Sequence, residues 1–81
     1  MLPFDIDEVS IDVSKHFRNT WMRKWDWDQS DLREALREAH KVSRAGQGKW
    51  EVFTRKKGEK KLVVVYDEQT KEVFVITGTE A

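Results

Sequence analysis

The chain has no cysteine, a single proline and no net charge, its 15 lysines and arginines being matched by 15 aspartates and glutamates. Without cysteine there is no disulfide, no thiolate nucleophile and no cysteine-ligated zinc, which fits a reducing compartment. The charge balance excludes a globally basic nucleic-acid binder, so such a role has to come from where the charges fall. No apolar run approaches the roughly 20 residues of a bilayer span, and the acidic start lacks the basic region of a secretion signal. A cytoplasmic protein without membrane contact is therefore expected. His16 and His40 stand alone, with no HExxH motif and only scattered carboxylates, so neither a metal nor a cofactor is expected. Gly46 and Gly48 lack the Lys-Ser/Thr pair of a phosphate-binding loop.

At 81 residues one domain is expected, 1–81, with residues 1–8 as a flexible acidic lead-in. Val9, Ile11 and Val13 alternate with polar residues, which suits a short strand or extended segment. From Ser14, a natural N-cap, the spacing becomes helical: Phe17, Trp21 and Trp25 follow at four-residue steps and line one face. Those tryptophans are expected in the core. Trp27 is the apolar residue before a second cap, Asp28, with Asp31 completing an acidic capping box. Leu32, Ala35, Leu36, Ala39 and Val42 then predict a second amphipathic helix, stopped by Gly46 and Gly48.

The last third alternates in strand fashion. Residues 49–55, 61–66 and 72–77 are separated by turns at 56–59, which contains Gly58, and at 67–70, and connections so short favour antiparallel hairpins. The expected fold is α+β, with two N-terminal helices packed on a three- to four-stranded antiparallel sheet.

Two groups of residues carry candidate chemistry. On the first helix, His16, Asn19, Thr20 and Arg23 share a face opposite the aromatic stripe, with Lys24 between the two. Imidazole and guanidinium are the groups with which a metal-independent ribonuclease moves a proton and stabilises charge on phosphorus; the plain alternative is a solvated helix face. The second group is a basic run. Lys41, Arg44, Lys49, Arg55, Lys56, Lys57, Lys60 and Lys61 face only Glu51 and Glu59 between positions 41 and 61. A basic hairpin edge of this kind draws phosphate backbones, or equally keeps an edge strand soluble.

The segments VSKHF (13–17), Arg23 and Lys24, DQSDLREAL (28–36), KWEVFTRKKGEKKLVVVY (49–66) and VFVITG (73–78) resemble, nearly end to end, a family of small prokaryotic domains of unknown function. That family looks related to the RelE/ParE-type toxins and to the small metal-independent ribonucleases. The resemblance implies a RelE-like fold and an RNA-cleaving, ribosome-associated toxin, countered by an antitoxin protein. By position, His16 matches the helix-start histidine as general acid or base, Arg23 or Lys24 the later cation, and Thr77 a hydroxyl that orients phosphate. Thr20 departs from the pattern, standing where the family often has arginine. The alternatives are a non-catalytic module that binds nucleic acid or protein through Lys49, Arg55, Lys56, Lys57, Lys60 and Lys61, and an inactive orphan toxin.

Overall fold

The computed structural model describes residues 2–80. Five strands form one mixed sheet: β1 (Ser10–Val13), β2 (Lys41–Gly46), β3 (Lys49–Thr54), β4 (Lys60–Asp67) and β5 (Glu72–Glu80), ordered β1-β5-β4-β3-β2. Strands β2 to β5 are antiparallel neighbours, whereas β1 lies parallel to β5 with Ile11 opposite Val73 and Val13 opposite Val75. Two short helices, α1 (residues 15–25) and α2 (Gln29–Arg37), join β1 to β2.

The expected two helices on a three- to four-stranded antiparallel sheet are corrected at both ends. At the front, the segment around Ile11 becomes a full strand, because the free edge of β5 satisfies its backbone and its two apolar side chains complete the core. Behind α2, the helix stops at Arg37, and residues 41–46, expected as the helix end and a loop, form the edge strand β2. The backbone N–H of His40 donates to the Phe53 carbonyl at 2.9 Å and commits the chain to pairing with β3. Ladder bonds there outweigh the helical spacing of Ala39 and Val42.

Period-two alternation decides which side chains meet the helices. Ile11 and Val13, Val52 and Thr54, Leu62 and Val64, and Val73 and Val75 are buried with Phe17, Met22, Trp25, Trp27, Leu32, Ala35 and Leu36. The nearly continuous β-branched run of residues 61–66 predicts a central strand covered on both faces; β4 is central, but only one of its faces lies under the helices, and Val63 and Val65, on the other, are half-buried. The lead-in, expected to be flexible, is packed down. Phe4, Ile6 and Val9 are buried, the Phe4 ring lies 5.0 Å from Tyr66, and Arg33 donates to the carbonyls of Ile6 and Val9. Asp7 accepts from Arg37 at 2.8 Å, and this guanidinium holds its carboxyl below the usual carboxylate range.

Candidate nucleic-acid interface

Helix α1 is fixed at its start by Ser14. The Ser14 Oγ accepts from the Phe17 N–H at 3.0 Å and donates to the Ile76 carbonyl at 2.6 Å. That carbonyl belongs to the residue left unpaired where β5 bulges, since Val63 faces Thr77 and Val64 faces Val75. The helix then departs from α geometry: Lys15–Phe17 is α-helical, Arg18–Met22 forms a π turn, and Arg23–Trp25 is α-helical again.

The π turn holds about one residue more than an α turn, so every later position falls back by roughly 100°. The side of the helix against the sheet is therefore Phe17, Met22 and Trp25, all buried, while Trp21 is left half-buried at the margin. The same rotation takes Arg23 off the line of His16 and brings it round beside Lys15 and Arg18, on the side away from the sheet. Lys24 comes back toward His16 in its place.

At its far end α1 closes with a Schellman motif. Asp26 is left-handed (φ 57°), its N–H donates to Arg23 O at 3.3 Å, and the Trp27 N–H donates to Met22 O at 2.9 Å. Asp28 and Asp31 then make the expected capping box, each accepting the other's backbone N–H. Left-handed aspartate carries a steric cost that glycine does not, so Asp26→Gly is expected to stabilise the fold by about 0.5–1 kcal/mol, measured by urea unfolding.

Between Ser14 and Trp25 there is no carboxylate. Lys15, His16, Arg18, Asn19, Thr20, Arg23 and Lys24 are all exposed. Among the described residues only Lys24 is ion-paired, with Glu80 at 3.2 Å, and its Nζ also lies 5.3 Å from the centre of the Trp21 ring. Lys15, Arg18 and Arg23 thus leave three cations on one outward surface.

The basic hairpin is arranged differently. Arg55 is bound to Glu59 at 2.6 Å, and this hydrogen bond holds the Glu59 carboxyl below its usual range. Lys56 lies between Glu34 (3.3 Å) and Asp31 (3.6 Å); burial works against its charge, but the two carboxylates prevail and raise it. Lys61 pairs with Glu51 at 3.4 Å. Lys60 points inward: the residue is 3% exposed, and its ammonium donates to the carbonyls of Lys57 and Gly58 and sits 5.1 Å from the Trp25 ring centre. Burial pushes the Lys60 ammonium down from its ordinary value. Only Lys49 and Lys57 of the six expected phosphate contacts are exposed and, among the described residues, without an ion pair.

The structure does not gather the expected catalytic set. Thr77 faces away from the helices, paired with Val63 on the other side of the sheet from α1, and so stands apart from His16. His40 lies 3.3 Å from Glu59, past the end of α2. The tryptophans are core rather than stacking platforms: Trp25 and Trp27 are buried with ring centres 4.9 Å apart, and their indole N–H groups have no partner among the described residues. Lys15 and Arg18 entered neither candidate group, although the absence of carboxylates around them is visible in the sequence. The chain matches no family model, no curated protein and no solved structure.

Proposed function

We propose that the chain is an RNA-binding domain whose contact surface is the outward side of α1. The observation that carries this reading is the uncompensated charge of Lys15, Arg18 and Arg23, spread over about 12 Å of helix axis in a protein with no net charge. Such a surface grips phosphates through charge-assisted hydrogen bonds. Single-stranded RNA fits better than a duplex, because one short helix presents a single line of donors.

Fluorescence anisotropy with a labelled oligouridine tests the reading. Arg18→Glu with Arg23→Glu is expected to weaken binding by at least tenfold and to flatten the dependence of affinity on salt. Reversal of Arg55 and Lys56, whose charges are already matched, is expected to change it by less than about threefold. Equal losses in the two variants would count against α1 as the contact.

Metal-independent cleavage is a second reading, favoured by Lys24 standing on the His16 side of the helix. In it His16 moves the proton and Lys24 exchanges Glu80 for the scissile phosphate, leaving a 2′,3′-cyclic product. This is the reading in which the domain works in the cytoplasm, at the ribosome, against an antitoxin. Incubation of RNA with the protein in EDTA, wild type beside His16→Ala, separates cleavage from binding.

A further inference from the structure

The two edges of the sheet are finished differently. The Ser10 and Ser14 N–H groups donate to the carbonyls of Lys71 and Val75, in and just before β5, so Ile11 and Val13 turn their backbone outward by the alternation of a strand. Side chains meet them there: Gln29 donates to the Ile11 carbonyl at 2.8 Å, and the Asp12 carboxylate accepts from the Val13 N–H at 2.9 Å. Among the described residues no side chain bonds the backbone of β2 in this way. The Tyr66 N–H donates to the Gly48 carbonyl at 3.1 Å, which sets the phase of the ladders. Trp50 and Val52 bond toward β4, and Glu51 and Phe53 toward Ser43 and Lys41 of β2. Val42 and Arg44 therefore hold their N–H and C=O groups out to solvent.

Charged side chains on an edge strand ordinarily discourage a further strand, and they do so by standing over the edge. On β2 they lie back from it. The Lys41 ammonium is 5.2 Å from the centre of the Phe53 ring and the Arg44 guanidinium 5.6 Å from that of Trp50; both rings belong to β3, so the edge itself is left uncovered. Residues 39–50 contain no carboxylate. Among the described residues Lys41 and Arg44 have no ion pair, and Glu51 on the neighbouring strand is bound by Lys61 at 3.4 Å. Being three residues apart, Lys41 and Arg44 fall on opposite faces of the sheet.

We propose that β2 is the docking edge for an extended acidic segment of another protein, which adds as a sixth strand and sets carboxylates three residues apart beside Lys41 and Arg44. A peptide backbone supplies the alternating donors and acceptors that this edge needs, and strand addition takes its affinity from those bonds. A nucleic acid has no such ladder. Charge opposes a second copy in this place, since β2 against β2 brings four cations together with no carboxylate. The edge lies three strands from β5, on which α1 rests, and so is separate from the cationic surface of that helix.

Fluorescence anisotropy of a labelled peptide with the full chain tests the proposal. The probe is about seven residues of threonine and valine with two glutamates three positions apart, long enough to span β2. Saturable binding is expected, about tenfold or more tighter than that of the same peptide with lysine in place of glutamate. N-methylation of the peptide amides that face β2 is expected to weaken binding by about tenfold or more, with the protein unchanged. In the protein, Lys41→Glu with Arg44→Glu is expected to weaken it by about tenfold or more. Val42→Pro removes an N–H turned to solvent, a change that edge strands accept, and is expected to have a similar effect; circular dichroism establishes that both variants are folded. Hydrogen exchange followed by NMR is expected to show the amides of Val42 and Arg44 protected only in the complex. Absence of binding at millimolar peptide overturns the proposal, as does binding indifferent to N-methylation, or exchange at Val42 and Arg44 that the peptide leaves unchanged. A chain that dimerises through β2 without peptide overturns it too, as does peptide binding that is lost in Arg18→Glu with Arg23→Glu and kept in the β2 variants.

Discussion

Gly78→Val is expected to lower stability by about 3 kcal/mol, and the thermal midpoint by roughly 15 °C in a domain of this size. Gly78 lies on β5 where α1 comes closest to the sheet. A Cβ at that position would stand 2.9 Å from Phe17 Cε1, 3.1 Å from Trp25 Cη2 and 3.2 Å from Leu62 Cδ2. None of the three is the loose end of a surface side chain: Phe17 and Leu62 are fully buried and Trp25 is 7% exposed. The helix must lift or two rings must leave their rotamers, and a close-packed core resists both. Even Gly78→Ala should cost about 1–2 kcal/mol, and Phe17→Leu in that background should recover part of the loss. Thermal denaturation followed by circular dichroism gives the answer, and an unchanged midpoint in Gly78→Val would mean that α1 does not lie where it is described.

Met22→Ala is expected to cost about 2–4 kcal/mol and Trp21→Ala only about 1 kcal/mol, although tryptophan is far the larger side chain. The order follows from the π turn. In an unbroken α-helix Trp21 would sit between Phe17 and Trp25 on the buried side and Met22 would look outward; the extra residue puts Met22 underneath at 7% exposure and moves Trp21 to the edge. Chemical denaturation of both variants checks it. If Trp21→Ala is the more damaging, the helix is regular and Arg23 returns to the side of His16.

The difference between Trp21 and Met22 also marks how far the chain can be read without coordinates. Trp21 is four residues from both Phe17 and Trp25, so ordinary helical spacing accounts for it fully, and nothing local betrays the inserted residue. Strands β3, β4 and β5 were legible because apolar side chains alternate through most of their length. Strand β2 was not: Val42 is its one large apolar residue, and its distance from Ala39 suits a helix as well as a strand. The parallel union of β1 with β5 was out of reach for a different reason, since it joins positions at opposite ends of the sequence.

Charge was legible as a count but not as a set of pairings. The cations at 55, 56 and 61 are visible beside one another, whereas the carboxylates of Asp31 and Glu34 that neutralise Lys56 belong to a distant helix. Lys60 could have been set aside from sequence alone, because it continues the inward alternation of Leu62 and Val64. The surface of α1 needed the π turn before Lys15, Arg18 and Arg23 fell together.

The pairing of β1 with β5 governs when this protein is able to fold as it is synthesised. Ser10 finds its neighbour at Glu72, and the Ser14 hydroxyl that starts α1 finds its acceptor 62 residues further along the chain. A nascent chain that has already emerged through β4 still has no edge for β1 and no anchor for the helix start. The ordering of α1 must await β5, and so must its cationic surface. Folding should be slow for so small a domain, since closing the longest loop precedes most of the gain, and the surface of α1 takes its shape only after β5 has been made.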